Sequence, residues 1–263
     1  MNVTEYIKKL QSDEEYSFST KELIDYSGKN ELSVKRELSR LTKKKDIVNL
    51  RKGFYLIIPP RYSVSGKLPV QLYSNKLFKF LEREYYLGFY TAAKIHGASH
   101  QQVNRDYIMI ETPKLIDIKK NVYDIRFLTT TNLINKNILI KNSDAGNYKV
   151  SSLALTIVDL IHYQTKLGGI NRMLAVIEEL LEEIDESDIG NLLTWYPNIS
   201  TLQRLGFIMD ETGGKESCAK QIFNHLKSNK FYPILLSPNT NRKPGAVNNK
   251  WKVDINLKLD SDL

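Results

Sequence analysis

ELSVKRELSRLTKKK, residues 31–45, carries two patterns at once. Val34, Leu38 and Leu41 share one helical face, while at about 100° per residue Arg36, Ser39, Arg40 and Lys43 share the opposite one, flanked by Lys35. Such a helix buries one side and turns a row of cations to water. Upstream, FSTKEL reads as a helix start: Ser19 can cap the free amides, Glu22 can reach back to it and Phe18 can staple onto Leu23. That second helix should stop near Gly28. Earlier still, Val3, Tyr6, Ile7 and Leu10 recur at i, i+3, i+4 and i+7 and predict a short first helix. Downstream, residues 47–50 and 54–58 read as two strands joined through Arg51, Lys52 and Gly53, the glycine giving the turn its backbone freedom.

Three helices followed by a basic hairpin is the order of a winged helix-turn-helix. In that arrangement the third helix enters the major groove, where Arg and Lys read guanine edges, and the wing meets phosphates. The DNA-contacting residues predicted on this basis are Ser33, Lys35, Arg36, Ser39, Arg40, Lys43 and Lys44 on the helix and its end, with Arg51 and Lys52 on the wing. The alternative for such a stripe is an ordinary solvated face, and the order of the elements favours DNA more than the charges do.

The wider composition agrees with this reading. The chain has 263 residues, a net charge of +8, 41% apolar and 26% charged residues, 8 Pro and 13 Gly, which excludes collagen-like, mucin-like and wholly disordered classes. Its length fits two domains of roughly 100 to 200 residues each. The single cysteine, Cys218, excludes an intramolecular disulfide and multi-cysteine zinc modules. No stretch approaches a membrane span, and MNVTEYIKKLQSDEE lacks the apolar region of a secretory signal, so a cytoplasmic location is expected. The positive charge is uneven. Residues 1–66 hold 13 basic and 9 acidic residues, 67–169 hold 14 and 8, and 170–263 hold 11 and 13. Of the first group, ten bases lie within 29–61, whereas EELLEEIDESD, residues 178–188, has seven acids and no base.

IPPRYSVSGKLPVQ, residues 58–71, disfavours helix and interior strand through its three prolines. The expected organisation is therefore a DNA-binding domain at 1–58, a linker at 59–71 and a larger α+β domain at 72–263. In the latter, Leu72, Leu77, Phe78 and Leu81 predict a helix, and YYLGFYTAAKIHG a second one ending near Gly97. RDYIMIET, VYDIRFLTT, NILIKN and YKV read as strands. Ser151 or Ser152 then caps a helix with Leu153, Ile157, Leu160 and Ile161 inward, and Ile170, Leu174, Ile177 and Leu181 line another, whose far side carries Glu178, Glu179, Glu182 and Glu183. Helices near 190–196, 199–210 and 217–228 and late strands near 232–236 and 251–257 follow.

Catalytic patterns are sparse. There is no GxGxxG, no GxxxxGK[ST] and no GxSxG. His96 and His100 are four apart, but the glutamate of HExxH is absent and Gly97 interrupts the helix. Asp106, Glu111 and Lys114 faintly resemble a nuclease set, with Pro113 breaking the strand that would align them. No catalytic residue, cofactor or metal is expected.

GFYTAAKIHGASHQ (88–101), VSSLALTIVDLIHY (150–163), the GGINRMLAVIEEL that follows and LQRLGFIMD (202–210) resemble the AbiEi family, the antitoxins of AbiE abortive-infection systems. RLTKKKDIVNLRKGFYLI (40–57) is similar in kind to that family's winged-helix region. The resemblance implies a type IV antitoxin that represses its own operon at promoter inverted repeats. It further implies a second domain that counters a nucleotidyltransferase-like toxin without a lasting complex, and no enzymatic activity. It assigns no residues to neutralisation. The competing expectations are a nucleic-acid-processing enzyme, delivered to its substrate by a winged helix, and an interaction module working through the acidic stretch at 178–188.

Overall fold

The computed structural model describes residues 2–98, 104–240, 242–247 and 249–260, packed as two units. Of these, one comprises residues 2–86, 104–133 and 140–150, and the other 87–98, 134–139 and the described residues from 151 onward.

In the first unit α1 (Val3–Ser12) begins in a capping box between Asn2 and Glu5 and buries Val3, Tyr6, Ile7 and Leu10. β1 (Ser17–Ser19) leads into α2 (Thr20–Ser27). There Ser19 Oγ accepts the Glu22 amide at 3.1 Å and Glu22 accepts the Ser19 amide at 2.6 Å, so two of the helix's unpartnered amides are satisfied. α2 ends at Gly28 with φ of 64°, a left-handed position suited to glycine. α3 (Glu31–Lys43) is capped by Asn30 and turns Val34, Leu38 and Leu41 inward. β2 (Ile47–Arg51) and β3 (Phe54–Ile57) complete an antiparallel sheet of order β1-β3-β2. The apolar faces of all three helices close on this sheet in one core with Phe18, Leu23, Ile47 and Ile57. β1 was not foreseen, since three residues are too few to show an alternating pattern.

Segment 59–72 contains two 3-10 turns and buries Leu68, Val70 and Leu72, and the Leu68 amide donates to Tyr123 Oη at 2.8 Å. α4 (Ser74–Phe80) then packs beside β1; Lys76 pairs with Glu15, and Phe80 meets Phe54 at a tilt of 38° with ring centres 5.3 Å apart. The strands β4 (Tyr85–Leu87), β5 (Asp106–Glu111), β6 (Ile118–Lys120), β7 (Tyr123–Thr130), β8 (Ile138–Ser143) and β9 (Gly146–Ser151) form a sheet of order β6-β7-β5-β4-β9-β8. β5 and β7 run parallel, β6 and β7 antiparallel. The single helix expected over residues 85–97 is corrected here. Tyr85–Leu87 is a central strand, and only the segment after Gly88 is helical. An apolar run this short has no period that separates a buried strand from a helix.

The second unit is largely helical: α5 (Phe89–Ile95), α6 (Leu153–His162), α7 (Gln164–Leu167), α8 (Ile170–Glu183), α9 (Glu186–Leu193), α10 (Ile199–Thr212) and α11 (Glu216–Lys227), with a small parallel pair β10 (Ile234–Leu235) and β11 (Val253–Asp254). α6, capped by Ser152, is buried at every position from Ala154 to Ile161 and touches α5, α8, α9 and α10, as expected of a helix apolar on nearly all sides. The acidic run 178–188 is not one helix. α8 stops at Glu183, Ile184 is extended and buried, and Asp185 caps α9 by accepting the Asp188 amide. Together the two units make the α+β class expected from the sequence.

Candidate nucleic-acid interface and the family-matched helices

α3 holds its cations outward because its other face is fixed in the core. Arg36, Ser39, Arg40 and Lys43 are all exposed and follow one line down the helix. The two acids on α3 are drawn aside. Glu31 pairs with Lys35 at 2.6 Å, and Glu37 accepts Lys29 Nζ at 2.5 Å and the Val3 amide at 3.4 Å. Its hydrogen bond from Lys29 holds the Glu37 carboxyl below its ordinary range, so the acid stays ionised and turned away from the stripe. At 13 residues and 1.5 Å per residue, α3 is about 20 Å long and of a diameter that a major groove admits.

The remaining predicted contacts are placed differently. Ser33 is half-buried, and its amide is spent on the Asn30 cap at 2.9 Å. Lys35 is exposed but engaged by Glu31. Lys44 is exposed at the helix end, followed by Lys45 at φ of 64°. On the hairpin Lys52 is exposed at the turn, whereas Arg51 is half-buried in a register shift of β2, its Nη1 sealed from water without a hydrogen-bond partner. The hairpin is also braced: Phe80 lies 3.5 Å from where a Gly53 Cβ would be, and Lys120 of β6 donates to Asn49 at 2.9 Å. Lys120 was invisible to sequence reasoning, being 71 residues from its partner.

The weak catalytic patterns do not assemble. Asp106 and Glu111 stand at opposite ends of β5, an odd number of residues apart and hence on opposite faces, and Asp106 pairs with Lys67 at 3.0 Å. His96 follows the last turn of α5 with its Nε2 2.7 Å from the Ser151 carbonyl, and His100 lies outside the described residues. Among the described residues no group of three His, Cys, Asp or Glu side chains could hold a metal ion, and no helix is long and apolar enough to cross a membrane.

In the second unit the segments 150–163 and 202–210 converge as α6 and α10. Gln203 Nε2 donates to the carbonyls of Trp251 (2.8 Å) and Tyr232 (2.9 Å), Asp210 accepts Trp251 Nε1 at 2.7 Å, and Gly206 lies against the indole. The polar and small residues of LQRLGFIMD thus seat the chain beyond residue 230. On the opposing helix His162 Nδ1 meets Asn198 Nδ2 at 3.1 Å and Thr201 Oγ1 at 3.3 Å. Burial, followed by the charges of Arg204 and Lys166, lowers the His162 pKa; burial raises Tyr163 to about 12, with Asp159 adding to it.

Comparison with known proteins bears on these helices. The fold is similar to that in the crystal structure of the RV2827C protein from Mycobacterium tuberculosis, at 14% identity with a TM-score of 0.66, over 94% of this chain and 89% of that one. A comparison with curated proteins gave no match. Residues 86–211, which span α5 to α10, match the family model described as the AbiEi antitoxin C-terminal domain. On that match residues 86–211 are similar to an AbiEi antitoxin C-terminal domain, which implies a toxin as partner.

Proposed function

We propose that this chain is an antitoxin of the AbiEi type that also represses its own operon. Residues 1–58 act as a winged helix-turn-helix that lays α3 in the major groove of promoter inverted repeats, with Lys52 and Lys44 on flanking phosphates. Two copies on one inverted repeat match the symmetry of the site. Beyond the linker at 59–71, residues 72–263 counter a nucleotidyltransferase-like toxin without a stable complex, as in type IV systems of abortive infection and phage defence. The protein works by binding and has no catalytic activity of its own.

The observation that carries this reading is the unbroken exposed line Arg36, Ser39, Arg40 and Lys43, from which Glu31 and Glu37 are both withdrawn. The experiment is anisotropy binding to the chain's own upstream DNA and to a scrambled duplex at about 50 and 200 mM salt, a range over which phosphate-dominated binding weakens steeply. Selective binding that persists at the higher salt supports base readout. Equal binding to both duplexes that vanishes with salt reduces the stripe to a generic basic surface.

A further inference from the structure

The near-even charge of residues 170–263 conceals a division. Residues 170–211 hold two bases and nine acids, whereas residues 212–258 hold nine bases and two acids. Those nine cations belong to α11 and to the chain that runs on through β10 and β11, beyond the segment that the family model matches. Among the described residues no carboxylate pairs with Lys220, Lys227, Lys230, Arg242 or Lys243, and all five are exposed.

α10 gathers this chain into one surface. The Gln203 amide nitrogen holds the carbonyls of both Tyr232 and Trp251, so the stretches ahead of β10 and β11 run side by side up to the parallel pairing of Ile234 with Val253. Trp251 is buried, and Lys250 and Lys252 on either side of it are exposed. Their ammonium groups lie over aromatic rings. Lys250 is 5.8 Å from the centre of Phe223, which Lys227 approaches from α11 at 4.6 Å, and Lys252 is 4.4 Å from the centre of Phe231. Asp210 takes up the charge of Lys250 at 2.9 Å, but Lys252 donates to a neutral acceptor, the Phe231 carbonyl, at 3.1 Å. Tyr232, the next residue, is 70% exposed. Further along the same chain Arg242, Lys243 and Lys258 border one open groove of about 470 Å³, which the half-exposed Ile255 also lines.

Lysine stems laid over rings serve in part to shield apolar area. Shielding needs neither the bare Tyr232 ring nor a groove with cations on both walls, and a surface with so few acids suits a polyanion that carries flat bases. We propose that the face formed by residues 220–258 binds single-stranded nucleic acid, with Tyr232 as a platform on which a base stacks and with Lys227, Lys252 and the groove of Arg242, Lys243 and Lys258 on the phosphodiester backbone. A duplex keeps its bases stacked on one another and offers Tyr232 no free face, so the ligand differs from that proposed for α3. The inference does not depend on operator binding.

The test is fluorescence anisotropy of the full chain with labelled oligouridylate and oligothymidylate of about 16 nucleotides, between about 50 and 200 mM salt. Wild type should bind, and more weakly as salt rises. Tyr232→Ala, at an exposed position, should weaken binding by about fivefold or more, the worth of one stacked base. Lys227→Ala and Lys252→Ala should each lower the salt slope by about 0.7, the share of one phosphate contact on a single strand. Arg36→Ala combined with Arg40→Ala should leave single-strand binding unchanged, whether or not α3 reads an operator. Tighter binding of the uridylate identifies RNA as the ligand, tighter binding of the thymidylate single-stranded DNA, and equal binding a face indifferent to the sugar; the proposal stands in all three. No binding of either strand at the lower salt, affinity retained within about twofold in folded Tyr232→Ala, or loss of binding in the double arginine variant overturns it, the last by assigning the single strand to α3.

Discussion

The indole of Trp251 occupies the space a side chain at Gly206 would need: a Cβ there would lie 2.2 Å from Cζ3. Trp251 is fully buried, tied to Asp210 and edge-on to Phe223 at 5.4 Å, so it cannot retreat without breaking both contacts. Gly206→Ala should destabilise the chain by about 1–3 kcal/mol or more, as overpacking does. Urea unfolding followed by Trp fluorescence reads this directly, and wild-type stability in the variant would show that the indole is not wedged against α10.

The α2 capping box gives a second expectation. Ser19→Ala removes the acceptor for the Glu22 amide and should cost about 0.5–2 kcal/mol. Since α2 and α3 share one core, the same substitution should also weaken operator binding in proportion to the unfolded fraction, and lowering the temperature should restore it.

On DNA, Arg36→Ala and Arg40→Ala should each lose about 1–3 kcal/mol of operator affinity if the arginine reads a guanine. Lys35→Ala should lose less, because that ammonium already pairs with Glu31. Lys52→Ala should weaken operator and scrambled DNA alike and lower the salt slope by about 1. Operator affinity retained within about twofold in the double arginine variant would remove α3 from the mechanism, since even one lost base contact exceeds that.

The depressed His162 pKa has a sign that can be checked. The unfolded ring titrates near about 6.5 and the folded one lower, so below that pH the unfolded chain binds a proton that the folded chain refuses. Stability should therefore fall as pH drops from about 6.5 through the folded pKa and level off beneath it. His162→Gln keeps an acceptor for Asn198 and should flatten that part of the profile. An identical slope in wild type and variant, measured by denaturant unfolding from pH 7.5 to 5, would place the effect elsewhere.

The N-terminal helices were legible in the sequence because each signal is local. Ser19, Gly28 and the Val34–Leu38–Leu41 spacing specify caps and faces within a few residues of themselves. What escaped is non-local or very short. β1 exists only because Phe54, Tyr55 and Leu56 pair with it, and β4 shows no period of its own. Arg51 read as a wing residue by position alone, and its burial follows from a register shift that no composition reveals. In the antitoxin domain LQRLGFIMD was recognisable as a family segment, but the reasons for Gln203, Gly206 and Asp210 lie at residues 232 and 251. The His162 cluster likewise depends on Asn198 and Thr201, more than thirty residues away in sequence.

The position of β4 also bears on how the chain is made. Its neighbours in the finished sheet are β5 and β9, and the second of these ends at Ser151. At a synthesis rate of about 5–20 residues per second, several seconds separate the emergence of Leu87 from that of its later partner. Throughout that interval Tyr85, Tyr86 and Leu87 present an apolar strand edge to whatever is nearby on the ribosome, an opening of the kind that invites wrong pairing. Slowed translation between residues 87 and 151 should therefore lower the yield of folded protein.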